Sequence, residues 1–163
     1  ETLWSDLADK DAAKAFRAVI DLAGAPAQAV PWLGERLKPA ARIDPEKINR
    51  WTADLGSAKF AVRQEATTNL LKVGEQALPA LKKALAAQLP LETRQRVDSI
   101  LDQLTGGTFT PEQLRLIRAV EVLERLGNSP ARRLLQVVAE GAPGALATRE
   151  AQATLDRLAV PRP

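Results

Sequence analysis

Cysteine, histidine, methionine and tyrosine are all missing from this sequence of 163 residues. The lack of cysteine excludes a disulfide framework and any metal site built on thiolates. The lack of histidine removes the commonest metal ligand and the side chain that most often acts as a general base. We therefore expect neither a metal nor a cofactor.

Sequence signals for catalysis are also missing. A serine nucleophile would have no imidazole partner, and no glycine-rich loop ends in Gly-Lys-Ser or Gly-Lys-Thr to bind phosphate. Glu121 and Glu124 could share a helix face, but they alternate with Arg118 and Arg125, which is typical of surface ion pairs. We expect that the protein is not an enzyme.

Aromatic residues are scarce, since three Trp and three Phe make up 4% of the chain. Hydrophobic residues nevertheless reach 45%, so the interior must consist mainly of the Leu, Ala, Val and Ile that suit packed helices. No apolar run approaches the ~20 residues of a membrane-spanning helix. The sequence leaves the compartment open, with the cytoplasm favoured, and its start at Glu1 without Met suggests a piece of a longer protein.

Apolar residues recur with the period of about 3.6 residues that is typical of amphipathic helices. In a first helix, predicted over 10–23, we expect Phe16, Val19 and Ile20 to face the core. In a later helix we expect Phe60 to do the same, and the tail 160–163 should fray. The protein is therefore predicted to be all-α.

Several residues mark where helices begin and end. Asp44 before Pro45 is a predicted cap, and Thr110 with Gln113 forms a predicted capping box. Ser57 and Ser129 are predicted caps of the helices that follow them. Gly74 is predicted to supply a left-handed helix end, and Trp51 is expected to be buried in phase with Ile48 and Leu55.

Helical features repeat in order along the chain. Gly127 follows Gly74 by 53 residues, and Leu135 follows Leu81 by 54. The N-terminal segment is a looser copy, in which "AVPWL" at 29–33 echoes "ALPAL" at 77–81. A single helical pair cannot bury both of its apolar faces, so we expect neighbouring pairs to cover one another along a stack.

The segment "FAVRQEATTNLLKVGEQALPAL" resembles a HEAT repeat in its pattern of Val-Arg, Ala, a glycine at the bend and a following proline. The matching residues are Val62, Arg63, Ala66, Gly74, Pro79 and Leu81. With "AVPWLGERLKP", "ADLGSAKFAVRQEAT" and the segment from "IRAVEVLERLG" to "ATLDRL", nearly the whole chain resembles a HEAT-like domain that recurs in planctomycete proteins, often C-terminal to WD-repeat β-propellers.

The resemblance and the repeat together imply a right-handed α-solenoid of about three HEAT-like helical hairpins with eight or nine helices. It would form a single domain over 1–163, with units of roughly 1–43, 44–106 and 107–163. The resemblance implies a non-catalytic protein-interaction or scaffold module of a larger bacterial protein. Its partner would be another protein or an adjacent domain such as a β-propeller, and the alternative is nucleic-acid binding through a basic concave face.

The candidate interaction surface combines large aromatic anchors, which often dominate binding, with basic side chains that could contact phosphates. Its residues are Trp4, Trp32, Lys82, Lys83, Arg94, Arg96, Arg132 and Arg133. Acidic residues are interleaved with Arg94 and Arg96, which favours an ordinary solvated surface. Arg63, Arg94 and Arg149 recur near helix starts, and bracing of neighbouring repeats through carboxylates or helix-end carbonyls is favoured over a ligand-binding role.

Overall fold

The computed structural model describes residues 2–107 and 109–160, so most of the expected frayed tail, residues 161–163, lies outside the described residues. Its helices, in chain order, are α1 (Thr2–Asp6), α2 (Ala12–Ala23), α3 (Pro26–Arg36), α4 (Pro45–Asp54), α5 (Phe60–Val73), a 3-10 turn (Gly74–Ala77), α6 (Leu78–Leu85), α7 (Leu91–Thr105), α8 (Pro111–Leu126), α9 (Ser129–Ala139) and α10 (Leu146–Ala159). The described residues contain no β-strand. The predicted all-α fold class is confirmed.

The chain divides into two compact units. Among the described residues, unit 1 is formed by the segments 2–41 and 109–160, and unit 2 is the continuous segment Arg42–Gly107. Unit 2 nearly coincides with the middle predicted repeat, 44–106. The first and last predicted repeats both belong to unit 1.

The order of helix packing in unit 1 differs from the predicted stack of sequence neighbours. Helix α2 packs on α8, and α3 packs on α8 and α9, so the first helical pair contacts the last one directly. Helical periodicity specifies which face of a helix is apolar, but burial is non-directional and any matching apolar face can cover it. The apolar periodicity that led us to expect packing between sequence neighbours is therefore equally compatible with the packing of α2 and α3 on α8 and α9.

The core of unit 1 is built on fully buried leucines and valines, including Leu33, Leu123 and Leu135. The capping box at Thr110 and Gln113 is confirmed, with Gln113 accepting from the Thr110 amide at 2.8 Å. Helix α9 is capped by Asn128, whose Oδ1 accepts a hydrogen bond from the Ala131 amide at 2.9 Å. The prediction that Ser129 is the cap is therefore wrong by one residue, since Ser129 is the first residue of the helix.

Helix α2 buries a narrower stripe than its apolar pattern suggested. Phe16 is 51% exposed and Ile20 is 43% exposed, so the prediction that both face the core is wrong. The buried residues of α2 are Ala15, Ala18, Val19 and Leu22. Helix α2 packs on α8 through this stripe, and Phe16 and Ile20 lie one turn apart on a part of α2 outside it.

Unit 2 has a separate core that includes Leu55, Leu70 and Leu81. The Asp44 cap and Pro45 in the first turn of α4 are confirmed, and Trp51 is half-buried against this core. Phe60 was predicted to be buried, but it is 71% exposed. It lies in the first turn of α5, beyond the part of the helix that contacts the core.

The ends of α5 follow the sequence only in part. Ser57 is not its cap, because the helix begins after Lys59, and the Ser57 Oγ accepts only from the Lys59 amide at 3.3 Å. Arg63 donates to the carbonyl oxygens of Ser57 and Ala58 at 2.8 and 3.0 Å, which holds this loop outside the helix. Gly74 has φ of 63° as expected of a glycine stop, but its ψ of −134° is not that of a left-handed helix.

Candidate interaction site

Two of the candidate residues, Trp4 and Trp32, meet in unit 1. Their rings pack edge to face, with centroids 5.7 Å apart and an angle of 87° between the planes. The Arg36 guanidinium lies 4.1 Å from the centroid of Trp32, and it also donates to the Trp32 carbonyl at 3.0 Å. Contacts with the Trp4 ring and with the Arg36 guanidinium both restrict the orientation of the Trp32 ring.

Helix α1, which carries Trp4, is held in place by two arginines of α8. Arg115 donates to the Trp4 carbonyl at 2.9 Å, and its guanidinium lies 5.4 Å from the centroid of the same ring. Arg118 donates to the carbonyl oxygens of Leu7 and Asp9, each at 2.7 Å. These carbonyls lie at and beyond the end of a very short helix, so the arginines satisfy groups that the helix cannot pair itself.

The loop that joins α1 to α2 is further stabilised by a cluster of charges. Lys14 donates to Asp6 and Asp9, each at 2.9 Å. The backbone amide of Asp11 and the Lys14 ammonium both donate to Asp9 and lower the pKa of its carboxyl. The hydrogen bonds that Lys14 donates to the Asp9 and Asp6 carboxylates raise the pKa of its ammonium group. The entry to α2 is therefore fixed by backbone and side-chain contacts.

A cleft of about 420 Å³ opens beside Trp32, between α1, α2 and α3. We call it the Trp32 cleft, and its lining residues are Thr2, Leu3, Asp21, Leu22, Ala25, Gln28, Ala29 and Trp32. Leu22 and Ala29 are almost fully buried, Trp32 and Leu3 are half-buried, and Asp21 and Gln28 are exposed. The cleft falls within the usual size range of ligand pockets, about 300–1,000 Å³. Such an arrangement suits an apolar side chain inserted between Leu22 and Trp32.

The basic residues expected to form one edge are divided between the two units. Lys82 and Lys83 are exposed on α6 of unit 2. In the same unit, Arg94 donates to the carbonyl of Leu85 at 3.2 Å, and Arg96 pairs with Glu92 at 3.4 Å. Both arginines are therefore engaged within unit 2.

Arg132 and Arg133 lie on α9 of unit 1. Arg132 donates to the carbonyls of Gly127 at 2.9 Å and Leu158 at 3.1 Å, near the ends of α8 and α10, while Arg133 is exposed. Arg63 and Arg94 likewise donate to carbonyls of a loop and a helix end, but both contacts lie within the predicted unit 44–106, so the bracing of neighbouring repeats stays a prediction. Arg149 lies in the first turn of α10.

The carboxylates considered for catalysis form ion pairs. Glu121 pairs with Arg125 at 2.8 Å, and Glu124 accepts two hydrogen bonds of 2.7 Å from Arg157. This agrees with the interpretation of surface pairs, although Arg118 contacts backbone carbonyls instead. In the part of the chain that the structure describes, no helix is both long and apolar enough to cross a bilayer, and no group of acidic side chains is arranged to hold a metal ion.

Of the residues at this candidate site, the sequence analysis named Trp4 and Trp32 but not Asp21 or Arg115, and it assigned Arg118 to surface ion pairs. Nothing in the local pattern distinguishes Asp21 from other exposed acids, since it lines the cleft only because α1 and α3 pack beside α2. The two arginines are spaced three residues apart on one face of α8, which was a usable sign that both contact the same element.

Comparisons with known proteins give no relatives from which function could be transferred. No protein-family model matches the chain, and neither the curated proteins nor the solved structures compared with it yield a match. The resemblance to HEAT-like domains therefore stays a prediction.

Proposed function

We propose that this protein is a non-catalytic protein-interaction module and that the Trp32 cleft receives an apolar segment of a partner protein. The observation that carries the proposal is the half-buried Trp32 ring, held by Trp4 and Arg36 beside a floor formed by Leu22 and Ala29. Tryptophans in such surroundings are the residues that most often dominate protein–protein binding.

The energetics favour a short apolar anchor. Fully burying one large aliphatic or aromatic side chain stabilises a complex by about 1.5–3 kcal/mol. Because contacts with Trp4 and Arg36 already restrict the Trp32 ring, less conformational entropy is lost when a partner covers it. One or two anchors in a cleft of about 420 Å³ would contribute about 1.5–6 kcal/mol against an association cost of about 4–15 kcal/mol, so contacts around the cleft must add to the affinity.

The relation to HEAT-like repeats is also a proposal. It is supported by the helical hairpin in which Gly74 ends α5 and Pro79 lies in the first turn of α6, as in the repeat pattern. Under this proposal the protein is a HEAT-like α-solenoid module of a larger bacterial protein, and its partner is another protein or an adjacent domain such as a WD-repeat β-propeller. The packing of the first pair on the last in unit 1 would then be a departure from simple sequential stacking.

Nucleic-acid binding is the weaker alternative. It requires several free cations along one face, whereas Arg94, Arg96 and Arg132 already pair with carbonyls or a carboxylate. Among the described residues of either unit, few candidate cations stay exposed without a partner: Lys82 and Lys83 in unit 2, and Arg133 in unit 1.

The proposal can be tested by selecting peptides from a random displayed library on the immobilised full chain. Peptides that bind the wild type should lose at least about tenfold in affinity for Trp32→Ala, as expected of a hot-spot residue. Gln28→Arg should weaken binding as well, because it places a long charged side chain at the exposed rim without disturbing the core.

Trp51→Ala in unit 2 is the matched control and should leave peptide binding unchanged. Circular dichroism establishes whether each variant keeps its helical content. If no peptide depends on both Trp32 and Gln28, although the Gln28→Arg protein is folded, the Trp32 cleft is not a protein-binding site.

A further inference from the structure

The Trp32 cleft has a charge at its rim that restricts what it binds. Resting on the function proposed above, we propose that its ligand is a short peptide segment in which a lysine or arginine accompanies the apolar anchor. Asp21 would bind this cation while Leu22, Ala29 and Trp32 enclose the anchor.

The lining itself supports this choice. Of its eight residues, Asp21 alone is charged, and five are apolar, namely Leu3, Leu22, Ala25, Ala29 and Trp32. The Asp21 side chain is exposed, and among the described residues it has no hydrogen-bond or ion-pair partner within the chain. A ligand cation could therefore contact it without displacing an existing interaction.

Electrostatics then selects the sign of the ligand charge. A neutral apolar segment that covered the cleft would remove water from the Asp21 carboxylate without replacing its hydrogen bonds, which is unfavourable. A ligand anion at the same position would be repelled. A ligand cation replaces the lost hydration of the Asp21 carboxylate. The cleft should therefore prefer peptides that carry a lysine or arginine beside the apolar anchor.

The position of the cation is restricted as well. An aromatic pair such as Trp4 and Trp32 could in principle bind a ligand cation on its ring faces. Here Arg36 lies 4.1 Å from the Trp32 centroid, and Arg115 lies 5.4 Å from that of Trp4. These arginines compete for the rings and repel a second cation. The favourable position for a ligand cation is therefore at Asp21.

The test uses synthetic peptides that share the same apolar anchors and differ only in carrying Lys, Ala or Glu beside them. Their affinities for the full chain are measured by fluorescence anisotropy at low and at physiological salt. For the wild type, the Lys peptide should bind at least about tenfold tighter than the Glu peptide at low salt, and added salt should reduce the difference. Asp21→Asn should remove the preference, and Asp21→Lys should reverse it.

Asp98→Lys is the matched control, because it makes the same charge change at an exposed acid on α7 of unit 2. It should keep the preference for the Lys peptide. An equal affinity for all three peptides, or the same preference in wild type and Asp21→Lys, would overturn the inference. If binding still depends on Trp32 in that case, the apolar site stands and only its charge preference is refuted. If no peptide binds the wild type more tightly than it binds Trp32→Ala, the proposed function itself is refuted.

Discussion

The backbone amide of Ala142 donates a 2.8 Å hydrogen bond to the carbonyl oxygen of Ala40. This bond joins the N-terminal and C-terminal segments of unit 1 outside any helix. Next to it lies Gly141, where a Cβ would come within 2.6 Å of the Ala40 nitrogen and 2.5 Å of the Thr148 Oγ1. Both distances are too short for non-bonded contacts, so the two segments can approach this closely only because residue 141 has no side chain.

Gly141→Ala should therefore destabilise unit 1. Making room for the methyl group requires shifts of backbone or of the buried Thr148, and overpacking of this kind costs about 1–3 kcal/mol. Urea unfolding followed by circular dichroism measures the change. Gly24→Ala is the control, since a Cβ there would make only ordinary contacts at 3.5 Å. Equal stability of the two variants would show that the close approach at Gly141 is absent.

Loss of the Arg118 guanidinium should loosen the N-terminal segment. Arg118→Ala leaves the Leu7 and Asp9 carbonyls without their donors, and hydrogen bonds to charged groups contribute about 1.5–3 kcal/mol. We expect destabilisation of that order and faster hydrogen exchange in the segment 2–9. Arg96→Ala, which removes a pair with a largely exposed Glu92, should change stability by less than about 0.5 kcal/mol. A similar effect of both substitutions would contradict the role assigned to Arg118.

The cluster around Lys14 should make stability depend on pH in the acid range. The pKa of Asp9 is lower in the folded state because the Asp11 amide and Lys14 donate to its carboxylate. Its stabilising contribution is therefore present above the unfolded pKa, about 3.9 for Asp, and is lost as the pH falls through the lower folded value.

Asp9→Asn removes this titration, so its stability should fall less steeply than that of the wild type below about pH 4. Urea midpoints measured over a pH series give the comparison. Asp98→Asn, at an exposed position on α7, serves as the control and should follow the wild type. Parallel curves for wild type and Asp9→Asn would show that Asp9 is not coupled to folding.

The two units should respond separately to core substitutions. Leu70 and Leu33 are fully buried in the cores of unit 2 and unit 1, respectively. Replacing such a leucine with alanine typically costs about 2–5 kcal/mol. In hydrogen exchange, Leu70→Ala should accelerate exchange in α5, α6 and α7, and Leu33→Ala in α2, α3 and α9. Uniform acceleration throughout the chain in both variants would mean that the two cores unfold as one.

Heparin chromatography tests the nucleic-acid alternative. The net charge of +3 is small, and three of the six candidate cations are engaged, so we expect elution below physiological salt. A double change, Lys82→Glu with Lys83→Glu, should alter the elution only in proportion to net charge, as should the control pair Lys10→Glu with Lys38→Glu. Retention beyond physiological salt that only the Lys82 and Lys83 changes abolish would favour nucleic-acid binding.

The interaction site could be predicted only in part, and the reason is physical. Trp4 and Trp32 stood out because large aromatics are rare in this chain. Trp32 lines the cleft, and Trp4 packs against the Trp32 ring. Arg118 donates to a carbonyl of the distant N-terminal segment, and Asp21 lines the cleft only because α1 and α3 pack beside α2. No local pattern encodes those distances, so their roles depended on packing.

The helices themselves were determined by local chemistry. Periodic apolar residues specified an all-α chain, and side chains such as Asp44, Thr110 and Gln113 specified where helices begin, because caps act within one helical turn. Which helix covers which was decided only by the tertiary structure. The first pair packs on α8 and α9, a choice that depends on the fit of side chains far apart in the sequence and that periodicity within one helix does not encode.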